Sequence, residues 1–257
     1  MTQFLAYLQF LYHSKNQHGV HSPYVYDLLT KCLYRKPPKD AWVKYKEFRK
    51  SILNATEKIQ EKNLGAPSRK LKTELTKIPK IARVAGSSKS EAKFLLKLSH
   101  YLQPKNTLEL GTSLGLGTSA LAMGTSKQAS ITTVEGDKEK SDYANDQFKK
   151  FELNNIVSVN SSFDQALEKL NNELFDLIYI DGNHTYQATM NYFRWSLEHS
   201  PDEGVIIFDD IYWSKEMKRA WKEIQEDNNI NLSIDFYSFG YISKRPGQRK
   251  EHFILRA

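Results

Sequence analysis

Cysteine is nearly absent from this sequence: Cys32 is the only one in 257 residues. No internal disulfide can form, and a reducing, cytoplasmic compartment is the natural expectation. No run of about 18 apolar residues occurs, which argues against a spanning helix. The N-terminus is apolar at Phe4, Leu5, Tyr7, Leu8, Phe10 and Leu11, but Gln3 and Gln9 interrupt it. A basic leader region and a small-residue cleavage site are both missing, so a secretory signal is not expected. Internal repeats and low-complexity tracts are lacking too, which sets aside repeat architectures.

What is present fits a soluble α/β protein with a core. Apolar residues make up 40% and charged residues 26%, the proportions of a globular domain, and the length suits one large domain plus an extra segment. The formal net charge is +7. A basic balance can signal a nucleic-acid partner, because Lys and Arg neutralise phosphates. Here the densest patches, Arg69 to Lys80 and Lys244 to Lys250, have no aromatics interleaved as a stacking platform would. Solvated surface lysines are the favoured reading.

The chain changes character near residue 85. Residues 1–85 carry helical apolar spacing (Tyr24, Leu28 and Leu29, then Phe48 and Ile52) broken by prolines, and read as a helical N-terminal cap. Gly65 to Lys80 reads as an exposed loop or lid. Residues 86–257 read as the main domain. Ser88 and Glu91 have capping-box spacing, and Phe94, Leu95, Leu98, Tyr101 and Leu102 follow on one helical face until Pro104. Short apolar runs then alternate with helical stretches: Thr107–Gly111, Ile131–Glu135, Ile156–Asn160, Phe175–Asp181 and Val205–Asp210. Strands alternating with helices predict a mostly parallel sheet with helices on both faces. The tail from Leu232 to Leu255 reads as β-rich and antiparallel.

One motif stands out. Thr107-Leu-Glu-Leu-Gly111 runs into Thr112-Ser-Leu-Gly115-Leu-Gly117, a buried strand turning into a helix through three glycines. Such a loop lets backbone N–H groups approach a ligand. The spacing is Gly-x-x-x-Gly-x-Gly, not the Gly-x-Gly-x-x-Gly of dinucleotide binders. Glu109, two residues before the first glycine, would repel a pyrophosphate but could meet the ammonium of S-adenosylmethionine (SAM). Glu135 ends the next strand, where an acid can accept both hydrogen bonds from a ribose diol. A plain strand-to-helix turn would require neither acid.

On these residues the sequence resembles the class I SAM-dependent methyltransferases over about residues 88–256, in particular the O-methyltransferases related to the catechol and caffeoyl-CoA enzymes. Their motif Glu-x-Gly-x-x-x-Gly-x-Ser is matched by Glu109 to Gly117, except that Gly117 replaces the final Ser. The resemblance implies a Rossmann-like seven-stranded, mostly parallel sheet with an antiparallel last strand. It implies that Glu109, Gly111 and Ser113 border the methionine part of SAM, with Gly115 and Gly117 completing the loop. Glu135 and Gly136 would hold the ribose, and Ser162 and Phe163 would lie beside the adenine.

Two strands end in acids: Phe175-Asp-Leu-Ile-Tyr-Ile-Asp181 and Val205-Ile-Ile-Phe-Asp209-Asp210. Parallel sheets place ligands outside these ends, and several carboxylates there suit a hard cation such as Mg²⁺. The resembling enzymes chelate a divalent metal with an Asp and an Asp-Asn pair. Asp181 and Asp209 match, while Asp210 stands where Asn is usual. Asp181 is thus expected to serve the donor site, the metal and catalysis alike. His184 stands where those enzymes carry a basic Lys, and histidine can take a proton from an attacking hydroxyl. An ordinary loop role for His184, and a helix N-cap role for Asp209 and Asp210, stand beside these readings.

His18-Gly-Val-His21-Ser-Pro23 reads as a turn or helix start rather than a metal pair. Together with the motifs above it is similar to a group of bacterial class I methyltransferases, a likeness that brings no acceptor with it. The expectation is methyl transfer to a hydroxyl of a small molecule by a cytoplasmic, membrane-free enzyme, with a homodimer compatible. A SAM-binding regulatory subunit without turnover, an RNA methyltransferase and an NAD(P)-linked oxidoreductase are the competing readings.

Overall fold

A computed structural model describes residues 3–60 and 75–256. The basic stretch expected to form a lid lies, up to residue 74, outside the described residues. By packing the chain forms two compact units, Met1–Tyr34 with Asn172–Ala257, and Arg35–Asn171. This division does not follow the change of sequence character near residue 85.

The first unit opens with helix α1 (Gln3–His13) and a short helix α2 (Pro23–Asp27). Pro23 sits at the first helical position, where its missing N–H costs nothing; this is the helix start read from the sequence.

The second unit contains α3 (Lys39–Leu53), an antiparallel ladder of β1 (Lys58–Gln60) and β2 (Leu75–Lys77), α4 (Ile78–Val84) and α5 (Lys89–Leu102). The expected capping box is present: the Ser88 N–H donates to Glu91 Oε2 at 2.7 Å, and the Glu91 N–H to Ser88 Oγ at 3.2 Å. Three parallel strands follow in the order β3 (Asn106–Leu110), β4 (Ser130–Glu135) and β5 (Ile156–Asn160), interleaved with α6 (Leu116–Gly124), α7 (Lys138–Lys150) and α8 (Phe163–Lys169).

Phe48 of α3, Ile78 and Ile81 of α4, Leu114 and Leu116 of the glycine turn, and Phe148 of α7 share one buried cluster. Each buried aromatic or aliphatic side chain there contributes about 1.5–3 kcal/mol. Residues from the stretch read as a cap are thus built into the body that carries the glycine turn.

That body explains one glycine in particular. Gly115 has φ +80, and a Cβ there would lie 2.5 Å from Phe148 Cε1. Gly115→Ala is therefore expected to destabilise the protein by more than about 2 kcal/mol, from left-handed strain and overpacking together. Urea denaturation checks it, and an unchanged midpoint would contradict this packing.

The first unit resumes with β6 (Leu177–Ile180), α9 (Tyr186–Glu198), β7 (Val205–Asp209), α10 (Lys215–Glu226), β8 (Leu232–Asp235), β9 (Phe239–Ser243) and β10 (Glu251–Ile254). Strand β6 pairs with β7 in parallel, β9 is antiparallel to both β7 and β8, and β10 is parallel to β8. Two expectations are corrected here. The described residues contribute five strands in this unit and three parallel ones in the other, eight rather than seven. The antiparallel strand is β9, while the last strand runs parallel to its neighbour. The register shows why. Strand β9 ends at Ser243, opposite Leu232 at the start of β8. The chain reverses there through Arg245 (φ 43) and Gly247 (φ 86), so β10 sets out beside the same residue, Glu251 against Leu232.

Candidate functional site

In the second unit the residues expected from sequence to hold the donor gather around the turn between β3 and α6. The Gly111 and Thr112 N–H groups both donate to Val134 O, at 2.9 and 3.2 Å, which holds the turn against the end of β4. Ser113 takes a left-handed backbone, φ 48, and its N–H donates to Glu135 Oε2 at 2.8 Å. The other Glu135 oxygen accepts the Asp137 N–H at 2.9 Å. Burial pushes the Glu135 carboxyl up, against those two N–H donors, which pull it down. Each oxygen keeps a further lone pair, so the carboxylate can still accept hydroxyls. Glu135 and Gly136 are half-buried, whereas Gly115 and Gly117 are buried in the turn and the first turn of α6.

The backbone of Glu135 also anchors the next strand end. Its carbonyl accepts Asn160 Nδ2 at 2.8 Å and the Ser161 N–H at 3.2 Å. Ser162 then caps α8 by accepting the Gln165 N–H, and half-buried Phe163 opens that helix. The turn, the acid and the expected adenine-side residues therefore lie in one body.

Glu109 has neighbours that the sequence did not suggest. It is fully buried. Its Oε2 accepts hydrogen bonds from the hydroxyls of Thr118 and Thr133, the latter at 2.6 Å, while Oε1 is buried without a partner, as is Ser113 Oγ of the turn. Burial, with a smaller push from the charge of Glu135, raises its carboxyl to about 7 despite those two hydroxyls. The available signal was chemical: a buried acid requires donors, and threonines lie at 112, 118, 132 and 133.

In the first unit the strand-end acids meet a tyrosine that sequence reading passed over. Tyr179 OH lies 2.6 Å from Asp209 Oδ2 and 3.2 Å from Asp181 Oδ2. With one proton to give, it donates along the shorter contact. Tyr179 and Asp181 are two residues apart on one strand face, a period that could have flagged the pair. Asp209 Oδ1 accepts the Asp210 N–H at 2.8 Å, and Asp210 sits at φ 55 with its N–H also donating to Ser238 O at 2.9 Å. The N-cap alternative falls away, because Ser214 caps α10.

His184 Nε2 lies 3.7 Å from Asp181 Oδ1, beyond hydrogen-bond length. Burial pulls the imidazole down to about 4, so it is neutral at pH 7, contrary to the near-neutral titration expected from sequence. It can accept a hydrogen bond but is a weak base. Asp181 and Asp209 both lie within reach of Tyr179 OH, and among the described residues no group of three His, Cys, Asp or Glu side chains is placed to hold a metal ion.

Beside Asp210 the corner between β8 and β9 carries an aromatic cluster. Tyr237 (φ 71) stacks on Tyr212 at 5.2 Å and meets Tyr7 and Phe10 of α1 at 4.9 and 5.5 Å. Tyr212 OH donates to Asp235 Oδ2 at 2.6 Å, and the Tyr237 N–H to Asp235 Oδ1 at 2.8 Å. Asp235 thereby fixes the Tyr212 ring and the Tyr237 backbone.

Parallel strands flanked by helices, with a glycine turn and an acid at the following strand end, make an α/β fold similar to that of solved methyltransferases. Residues 108–211 match a family of methyltransferase domains. An O-methyltransferase from Aspergillus hancockii is 32% identical over 146 residues, which are 54% of this chain and 56% of that protein. A catechol O-methyltransferase from Niastella koreensis is 28% identical over 130 residues, 48% of this chain and 57% of that protein. The chain thus spans little more than half the length of these curated relatives. Among solved structures, an O-methyltransferase from Bacillus cereus in complex with S-adenosylhomocysteine (SAH) superposes with a TM-score of 0.57 at 22% identity, covering 86% of this chain and 96% of that one. An SAH-bound methyltransferase from Podospora anserina gives 0.60 at 18% identity, over 88% and 97%. Among the described residues no helix is long and apolar enough to cross a membrane.

Proposed function

We propose that this protein binds SAM at the glycine turn and transfers its methyl group to a hydroxyl of a small molecule. The observation that carries the reading is the Glu135 carboxylate, held at the end of β4 by the Ser113 and Asp137 N–H groups with capacity left for a ribose diol. Gly111 to Gly117 would face the methionine end, and Ser162 and Phe163 the adenine. The curated relatives named O-methyltransferase and the SAH-bound neighbours support the same assignment.

The chemistry requires little acid–base work. An acceptor oxygen attacks the methyl carbon in line, the carbon–sulfur bond breaks, and the electron pair stays on sulfur to give the thioether SAH. The hydroxyl proton passes to a base. Half-buried Asp181, beside neutral His184, suits that task, while Asp209 holds Tyr179 in place. The aromatic cluster of Tyr7, Tyr212 and Tyr237 next to Asp210 supports a cap from α1 on the acceptor side of the first unit.

Calorimetric titration with SAM, SAH and NADH, followed by transfer from methyl-labelled SAM to pools of small hydroxyl compounds, tests the reading. Binding of SAM and SAH with label in an acceptor is expected. Binding of NADH alone would overturn it, and SAM binding with no transfer to any pool would favour a regulatory subunit.

A second reading, RNA as acceptor, draws on one observation. Residues 35–102 hold 18 Lys and Arg against 6 Asp and Glu, leaving 19 against 24 elsewhere. Lys58 and Lys77 even face each other across the β1–β2 ladder, where like charges repel. Methylation of RNA with a steep loss of binding as salt rises would favour it.

A further inference from the structure

Resting on the donor reading above, the geometry points to Glu109 as a positioning residue that braces the donor loop through threonine hydroxyls, stays out of contact with the donor, and gives up a proton when the cationic donor binds. Three contacts set the directions. Thr133 donates its single proton to Glu109 at 2.6 Å. The proton shared between Thr112 and Thr133, also 2.6 Å apart, must then come from Thr112. Thr118 donates to the same carboxylate oxygen. One buried carboxyl group therefore ties together the residue after Gly111, the first turn of α6 and the middle of β4.

Direct contact with a ligand is not what this placement offers. A side chain lining a crevice would show surface there, and Glu109 shows none. It acts on the loop through hydroxyls and on the donor through its field, which is strong in a low-dielectric surround. Among its described neighbours the one charged group that acts on it is Glu135 of β4. Thr118 of α6 and Thr112 and Thr133 alongside it are neutral. Its unpartnered Oε1 gives a proton a place to reside before the donor arrives. With the carboxyl held near 7, both forms are populated at neutral pH. SAM brings a net positive charge at its ammonium, carboxylate and sulfonium end, which favours the ionised form. SAH lacks the sulfonium charge and favours it less.

Calorimetry at pH 7 in two buffers of different ionisation heat reads the protons exchanged. Wild-type protein is expected to release about half a proton per SAM bound, and less with SAH. Glu109→Gln keeps an oxygen for Thr118 and Thr133 but cannot ionise, so it should release close to none while still binding SAM. Thr118→Val removes one donor that favours the ionised form, and should increase the release at pH 7. Equal proton release by wild type and Glu109→Gln, or no change in Thr118→Val, would overturn the inference. Failure of wild-type protein to bind SAM would instead remove the donor reading.

Discussion

Replacing Glu135 by alanine is expected to raise the Kd for SAM by about a hundredfold. Hydrogen bonds to a charged group are worth about 1.5–3 kcal/mol each, and a ribose diol would make two. The same change frees the Ser113 N–H, which Glu135 Oε2 holds at 2.8 Å, so the loop would lose one of its tethers as well. Glu135→Gln separates the two effects, since an amide oxygen can replace only one of the acceptors. Calorimetry with SAM, alongside far-ultraviolet circular dichroism to show that the fold persists, measures it. Wild-type affinity in the alanine variant would contradict the ribose assignment, because among the described residues of this body no other acid is anchored at the end of β4 in the same way.

Turnover should collapse in Asp181→Ala, far more than SAM affinity falls. Removing a general base costs about 10²–10⁴-fold in rate. Asp181 is half-buried, as is Asp210, whereas Asp209 is buried and bound to Tyr179 at 2.6 Å. Neutral His184 cannot replace it well, because burial holds the imidazole at about 4. Full activity in this variant, measured with an acceptor found in the labelled-donor screen, would remove Asp181 from the reaction. Asp209→Asn, by contrast, should act mainly by loosening Tyr179 and lowering stability, since that carboxylate is already committed to protein donors.

The site was legible where its signal was local. Three glycines within seven residues can only mean a tight turn, and a Glu at the end of the next apolar run announces itself. The Ser88–Glu91 capping box was readable for the same reason: both partners lie within one helical turn. The hydroxyl network around Glu109 was not, because Thr118 and Thr133 lie 9 and 24 residues away in the chain and meet it only through the pairing of β3 with β4 and the path of α6. The surroundings of the strand-end acids were hidden for a related reason. Carboxylates at strand ends look alike in sequence, yet Asp209 spends its oxygens on Tyr179 and on its own neighbour's N–H.

The sequence by itself determined the α/β alternation, the glycine turn and the acid that follows it, because hydrophobic period and backbone freedom are properties of neighbouring residues. Tertiary structure alone decided that β10 runs parallel to β8, that α3 and α4 pack with the glycine turn, and that Glu109 is enclosed by threonines. Those outcomes depend on which distant segments share a register and a core, and a carboxylate's partners and charge state follow from that enclosure.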